Sequence, residues 1–146
     1  MISHASGGRI FLDTYYVQAL LNPRDPHHAR ARALLPTVQG ASEVVVTEAV
    51  FAEVGNALSG TPRLRQVAAA FIRRCYVEPN MTVVPVDTGL LTRALEFFES
   101  RSDKEWGLTD CISFVAMGDL GLLDAATGDR HFSQAGFRAL MLDSAQ

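Results

Sequence analysis

The sequence predicts an α/β fold with a parallel or mostly parallel sheet that carries helices on both faces. Short apolar or β-branched runs alternate along the chain with segments of helical periodicity. Glycine, proline and polar residues separate these segments, and no repeat, linker or low-complexity stretch divides them. The 146 residues therefore fit a single domain, which we place at residues 9–146 after a flexible lead-in at residues 1–8.

Five segments are predicted to be strands. Each is a short apolar run bounded by glycine, proline or polar residues, as is typical of buried strands. RIFLD follows two glycines, SEVVVT contains three valines, and MTVVPV has a proline near its end. The five predicted strands cover residues 9–13, 42–47, 81–86, 122–127 and 137–142.

Six segments are predicted to be helices because their apolar residues recur at intervals of three and four. Thr61 and Pro62 have the order of an N-cap and a first helical residue, and Asp87 is placed to cap the next helix. The segment GDRHFSQAG is predicted to be a tight loop with a helical turn. The predicted helices cover residues 14–21, 27–39, 48–60, 61–77, 88–100 and 108–121.

Composition excludes several classes of protein. With 13 basic and 16 acidic residues the net charge is −3, which argues against a protein that coats nucleic acid electrostatically. The net charge does not exclude an enzyme that holds a phosphodiester through metal ions.

Cys75 and Cys111 show neither zinc-site nor disulfide spacing, so we expect a reducing, cytoplasmic compartment. No apolar stretch approaches the length of a membrane span, so no membrane association is expected.

The basic residues are clustered, and Lys104 is the only lysine among them. One group lies in a predicted helix that contains no acid, and a second group joins His27 and His28. We favour solvated helix faces as their role, with a rim that contacts RNA phosphates as the alternative. The candidate rim residues are Arg63, Arg65, Arg73, Arg74 and Arg130, and the second group contains Arg24, Arg30 and Arg32.

Four acidic residues stand where they can form a metal site. Asp13 and Asp129 follow predicted strands, and strand ends face the ligand cleft in open α/β sheets. Asp110 lies in the first turn of a helix, and Glu53 lies in mid-helix at the edge of an apolar stripe. Each also has a structural interpretation, as a helix cap, a turn residue or a solvated side chain. Taken together, they predict an oxygen-only site of the kind that Mg²⁺ or Mn²⁺ prefers.

Neighbouring residues refine this hypothesis. Asn56, one turn after Glu53, is expected to orient it by a hydrogen bond, whereas Glu48 is expected to be solvated. The Thr127 hydroxyl suits a metal-bound water or a phosphate. For His131 we favour a hydrogen bond to the backbone of its turn over metal binding.

The order of four motifs resembles the PIN-domain family of metal-dependent ribonucleases, including the VapC-like toxins of bacterial toxin–antitoxin pairs. The motifs are FLDTYY, AVFAEVGNAL, WGLTDCISFVAM and TGDRHFSQAGF, and the resemblance extends from Ile10 to Leu142. It implies a three-layer α/β/α sandwich with a mostly parallel five-stranded sheet. The family's acidic quartet falls on Asp13, Glu53, Asp110 and Asp129, with Thr14 and Thr127 as polar support.

The resemblance implies hydrolysis of RNA phosphodiester bonds with Mg²⁺ or Mn²⁺, a cognate antitoxin and a homodimer. Two alternatives within the family stay open, namely a housekeeping RNA-processing nuclease and a catalytically silent binding module. A haloacid-dehalogenase-like phosphatase is disfavoured because the second acid of that chemistry would fall on Tyr15. A receiver domain is disfavoured because the chain lacks an early acidic pair and a late lysine.

Overall fold

The computed structural model describes residues 8–143, which form five strands and eight helices. All but the last residue of the predicted lead-in lies outside the described residues. The strands are β1 (Arg9–Leu12), β2 (Glu43–Thr47), β3 (Met81–Val84), β4 (Asp124–Ala126) and β5 (Arg138–Ala139). The helices are α1 (Thr14–Leu21), α2 (His28–Gln39), α3 (Glu48–Ala57), α4 (Pro62–Val77), α5 (Thr88–Ser100), α6 (Leu108–Leu120), α7 (Arg130–Gln134) and α8 (Leu140–Asp143).

The five strands form one parallel sheet in the order β3-β2-β1-β4-β5. The chain builds one half of the sheet outward from β1 to β3 and then crosses back to add β4 on the other side of β1. The carboxyl ends of adjacent strands β1 and β4 therefore lie at the point where the direction of strand addition reverses. In open α/β sheets this is where a ligand-binding crevice forms.

The central strands are buried on both faces, as expected for a parallel sheet covered by helices. Phe11 of β1 and Val45 of β2 are fully buried, and their neighbours along each strand are almost as inaccessible. Leu12 and Tyr16 line a groove of about 560 Å³ that is bordered by α1, α2 and α4. The sheet thus has helices on both faces, and the predicted α/β fold is confirmed.

An aromatic cluster fixes α6 and α7 against the other face of the sheet. The ring of Phe114 in α6 packs edge-on against Phe132 in α7, with centroids 4.9 Å apart, and against Trp106 at 5.1 Å. The Phe132 ring also lies 6.3 Å from Phe11 in β1. Because all four rings are buried, this cluster holds the two helices whose N-terminal ends carry Asp110 and Asp129.

The end of the chain differs from the prediction. The closing apolar run was expected to be a strand over residues 137–142, but β5 contains only Arg138 and Ala139, and α8 begins at Leu140. The strand β4, with which β5 pairs, is only three residues long. Beyond the end of β4, the backbone N–H of Met141 donates to the carbonyl of Thr127. The chain therefore turns over the end of β4, and Met141 becomes fully buried.

Smaller differences concern element ends. The fourth strand was expected to begin at residue 122, but the turn after α6 occupies its start. Gly121, in the left-handed conformation with φ 68°, ends α6. Among the described residues, no helix combines the length and the apolar composition that crossing a bilayer requires.

We predict that Phe114→Ala lowers the free energy of unfolding by about 3–5 kcal/mol, because it leaves a cavity at the centre of the aromatic cluster. Val77→Ala at the end of α4 is the control, since Val77 is 77 % exposed and is expected to change stability by about 1 kcal/mol or less. Urea unfolding followed by circular dichroism measures both. Equal losses in the two variants would contradict the assigned role of the cluster.

Candidate active site

The reversal point of the sheet brings Asp13 and Thr127 together. Asp13 directly follows β1, Thr127 directly follows β4, and the last paired residues of these strands are Leu12 and Ala126. The backbone N–H of Asp13 donates to the carbonyl of Ala126 at 3.3 Å, which extends the pairing by one step. Both side chains therefore project from the same end of the sheet.

Asp13 is a buried acid with a strongly perturbed pKa. Its side chain is 5 % exposed, and it makes no capping hydrogen bond to α1, although it occupies the N-cap position. Burial raises the pKa of Asp13 to about 7. The hydrogen bond from Thr127 opposes this shift, while the nearby charges of Asp110 and Asp129 add to it. The raised pKa of Asp13 therefore comes first from burial, and Asp110 and Asp129 are near enough to add to it.

Thr127 connects two of these acids. Its hydroxyl donates to Oδ2 of Asp13 at 2.7 Å, and its oxygen accepts the backbone N–H of Asp129 at 3.0 Å. The side chain is fully buried, so neither bond competes with bulk water. A single threonine thereby fixes the side chain of Asp13 and the backbone of Asp129.

Asp110 caps a helix and also faces the cluster. Its Oδ2 accepts the backbone N–H of Gly107 at 3.2 Å, which satisfies one donor at the start of α6. Burial raises the pKa of Asp110 and the charge of Asp129 adds to the rise, whereas the hydrogen bond from His131 lowers it. The structural role proposed for this residue is therefore present, and it coexists with a position beside the other acids.

Asp129 and His131 complete the cluster. Oδ1 of Asp129 caps α7 by accepting the backbone N–H of His131 at 2.9 Å. The ring Nδ1 of His131 lies 2.9 Å from Oδ2 of Asp110 and 3.5 Å from Oδ1 of Asp129. One ligand atom from each of these three residues falls within 4.8 Å of the others, which is close enough to chelate one cation.

The contact of His131 corrects the sequence-based expectation. The ring was expected to bond the backbone of its turn, but its nitrogen meets the carboxylate of Asp110 instead. An ionised carboxylate only accepts hydrogen bonds, so the ring nitrogen is the donor. No local pattern in the sequence indicates this contact, because Asp110 precedes His131 by 21 positions.

Glu53 lies at the edge of this arrangement. It is exposed on α3, and its Oε1 accepts the hydroxyl of Thr14 at 2.7 Å. Because Thr14 directly follows Asp13, this hydrogen bond ties α3 to the start of α1. Glu53 therefore approaches the cluster through a neighbour of Asp13, and it is less enclosed than the three aspartates.

Two expectations about neighbouring polar residues are wrong. No hydrogen bond joins Asn56 to Glu53 in the described part of the chain, and Asn56 instead lines a cleft between α3 and α4. Glu48 is not simply solvated, because it accepts hydrogen bonds from the Tyr76 hydroxyl and the Val86 backbone N–H. These bonds attach α3 to α4 and to the segment after β3.

The candidate rim arginines differ in their surroundings. Arg74 forms an ion pair with Glu78 at 2.8 Å, and Arg65 donates to the carbonyl of Ser59. Arg130 is exposed and directly follows Asp129, which places it beside the cluster. Arg63 and Arg73 are exposed on α4.

The cluster has the chemistry of a divalent-cation site. Within residues 8–143, no lysine or arginine forms an ion pair with Asp13, Asp110 or Asp129. Three carboxylates without a lysine or arginine partner, one of them buried, favour a hard cation, and carboxylate oxygens are the ligands that such cations take. The ligand atoms of Asp110, Asp129 and His131 are close enough to share one cation, and Asp13 lies near enough for the charges of Asp110 and Asp129 to raise its pKa.

The fold and the site together define an α/β protein with a carboxylate cluster at the reversal point of a parallel sheet. Residues 10–138 match the model of the PIN domain. The chain belongs to the PIN-domain family, as its motifs predicted.

Known relatives agree with this assignment. The 23S rRNA-specific endonuclease VapC20 of Mycobacterium tuberculosis is 32 % identical over 129 residues, which cover 88 % of this chain and 95 % of the relative. The crystal structure of VapC20 of Mycobacterium tuberculosis, described as a Sarcin-Ricin loop cleaving toxin, matches with a TM-score of 0.78 and 26 % identity. That match covers 88 % of this chain and 95 % of the other.

More distant structures share the fold. FitAcB from Neisseria gonorrhoeae has a TM-score of 0.59 at 18 % identity, covering 89 % of this chain and 94 % of that one. VapBC2 from Rickettsia felis, bound to a DNA fragment from its promoter, has a TM-score of 0.61 at 10 % identity. The match covers 90 % of this chain and 96 % of that one.

We predict that Asp13→Asn stabilises the protein in a chelating buffer, and more so at pH 8 than at pH 5. The native Asp13 carboxyl has a pKa of about 7, whereas the ordinary pKa of an aspartate is 3.8. The native state therefore binds more protons than the unfolded state between these values, and stability falls as pH rises through that window. Above pH 7 the full penalty is on the order of 4 kcal/mol, and asparagine avoids it.

Chemical unfolding of both proteins at pH 5 and pH 8 measures this difference. Asp119→Asn is the control, since Arg93 lowers the pKa of Asp119 on the surface and its loss is expected to change little at either pH. A stability gain from Asp13→Asn that is the same at both pH values would contradict the raised pKa.

Proposed function

We propose that this protein is a metal-dependent ribonuclease that hydrolyses RNA phosphodiester bonds and acts as the toxin of a type II toxin–antitoxin module. The observation that carries the proposal is the meeting of Asp13, Asp110 and Asp129 at the reversal point of the sheet, without a lysine or arginine partner. The relative that is a 23S rRNA-specific endonuclease supports RNA as the substrate.

In this mechanism Asp13 and Asp110 would hold the cation, and Asp129 would hold a second ion or a water molecule. A bound Mg²⁺ or Mn²⁺ would supply the activation of water and the neutralisation of charge on the phosphorane. Thr127 keeps the Asp13 carboxylate in place, and His131 does so for Asp110. Glu53, which accepts the Thr14 hydroxyl, would serve as a further ligand or as a base.

The same proposal includes partners. Neighbours in structure include VapBC2, which supports a cognate antitoxin, and the groove of about 560 Å³ between α1, α2 and α4 can take an apolar antitoxin segment. Leu91, Leu95 and Phe98 form an exposed apolar stripe along α5, which supports a homodimer. We place the protein in the cytoplasm, where ribosomal RNA is accessible.

We expect the purified protein to cleave a labelled RNA that carries the sarcin–ricin loop only when Mg²⁺ or Mn²⁺ is present. Asp13→Asn and Asp110→Asn should each reduce the rate by at least about a hundredfold, because each removes a charged candidate ligand. Asp119→Asn is the matched control, since its carboxylate pairs with Arg93 on the surface. Gel analysis of the products measures the rates.

Cleavage that survives chelation, or that persists in both aspartate variants, would point to a contaminating nuclease or to another site. Binding of RNA without cleavage would favour the catalytically silent module. Growth arrest on expression, relieved by Asp13→Asn, separates a toxin from a housekeeping nuclease.

We expect His131→Ala to weaken Mn²⁺ binding about 10- to 100-fold, because Asp110 loses the donor that orients it. His131→Asn should recover most of this affinity, since its amide nitrogen can occupy the position of Nδ1, whereas His131→Gln should not. Isothermal titration with Mn²⁺ measures all three. His131 would instead be a direct ligand if two results are found together. The asparagine variant would fail to recover the affinity for Mn²⁺, and the electron spin echo of bound Mn²⁺ would show coupling to nitrogen.

A further inference from the structure

A pair of stacked rings lies beside the acid cluster, and none of the roles assigned above uses it. The ring of Tyr15 in α1 stacks on the ring of His27, with centroids 4.9 Å apart and planes inclined by 30°. His27 is exposed at the start of α2, and Tyr15 is half-buried. The stack therefore runs from the interior outward and ends in an exposed aromatic ring.

The contact between Tyr15 and Gly128 fixes the position of this stack relative to the acids. A Cβ atom built on Gly128 would lie 2.6 Å from Cε1 and 2.8 Å from the hydroxyl oxygen of Tyr15. Any larger residue at this position would collide with the ring, so the absence of a side chain lets the ring rest on the backbone. Since Gly128 lies between Thr127 and Asp129, the Tyr15 ring forms a wall of the acid cluster.

Side chains of both positive and negative charge surround the stacked rings. Burial raises the pKa of the Tyr15 hydroxyl. The charge of Arg30 lowers this pKa, and the charges of Asp25 and Asp129 raise it, so these three charged side chains lie near the ring. Arg30 follows His27 by three residues, which puts the two side chains on one side of α2. Asp25 is engaged, because its Oδ1 accepts the backbone N–H of His27 at 2.8 Å. Arg30 forms no ion pair with any of the described residues.

A stack of aromatic rings beside an arginine without an ion pair suits the binding of an RNA strand next to a cluster of acids. The acids repel phosphate, so nucleotides on either side of the scissile bond require other contacts. Aromatic rings hold unpaired bases by stacking, and a free guanidinium binds phosphate through two parallel hydrogen bonds.

We propose that Tyr15, His27 and Arg30 form a nucleotide subsite beside the acid cluster, where an unpaired RNA base continues the stack and an adjoining phosphate binds Arg30. The inference rests on the proposed function for its choice of RNA as the ligand. It adds a substrate-positioning site on α1 and α2 that lies outside the candidate arginine rim of α4.

Binding to RNA without cleavage tests the subsite. The probe is a synthetic hairpin with the sarcin–ricin loop, carrying 2-aminopurine at an unpaired position, and the full chain is titrated in a chelating buffer. Tyr15→Leu should weaken binding about 5- to 100-fold and remove the quenching of 2-aminopurine, because it removes base stacking. Tyr15→Phe keeps the ring and should bind within about twofold of the unchanged protein.

Arg30→Gln should weaken binding several-fold and lower the slope of log affinity against log salt by about 0.7, the value for one phosphate contact in a single strand. Arg9→Gln is its matched control, since Arg9 is exposed at the start of β1, at the opposite end of the strand from Asp13. Tyr76→Leu is the control for the aromatic ring, because Tyr76 is exposed on α4. Both controls should stay within about twofold.

Three results would overturn the subsite: Tyr15→Leu binds as the unchanged protein does, the controls lose as much affinity as the test variants, or the unchanged protein does not bind the probe. The proposed function fails separately. If the expected binding pattern appears but no metal-dependent cleavage does, the subsite stands and the nuclease proposal falls. If cleavage depends on Asp13 and Tyr15→Leu still binds normally, only the subsite falls.

Discussion

The hydrogen bond from Thr127 to the buried carboxylate of Asp13 is the interaction on which the candidate site depends. It joins the carboxyl ends of β1 and β4, the two strands at which the order of the sheet reverses. Burial disfavours the charge on Asp13, and this hydrogen bond is the largest contribution that opposes the penalty. Thr127 also receives the backbone N–H of Asp129, so the same hydroxyl aligns the loop that carries the third aspartate.

The N-terminal ends of two helices offset the rest of the cost of placing three carboxylates close together. Asp110 and Asp129 each accept a backbone N–H at the start of a helix, where unpaired donors favour a negative charge. Three carboxylates can therefore stand close together within the described chain without a lysine or arginine partner. In each carboxylate one oxygen, Oδ2 of Asp110 and Oδ1 of Asp129, both caps the helix and faces the His131 ring. Among the described residues the second oxygen of each forms no hydrogen bond, so capping leaves it available to the cluster.

Much of the fold follows from local patterns. Apolar runs such as RIFL predicted the parallel strands, and Asp13 and Asp129 were placed together because adjacent parallel strands end at the same edge. The closing strand was predicted over residues 137–142 and is shorter in the structure, because the length of an edge strand depends on its partner. The ring contact of His131 and the Thr14 bond to Glu53 depend on tertiary geometry that no spacing encodes. The roles of these residues in catalysis stay predictions.

The Thr127 to Asp13 bond spans 114 positions in the chain. A ribosome must therefore have made most of the protein before β4 can pair with β1 and the three aspartates can meet. A growing chain that already contains Asp13 and Glu53 has neither Asp110 nor Asp129, and its first strand has no partner on one side. The candidate site can therefore form only late in synthesis, after the segment that carries Thr127 and Asp129 has emerged.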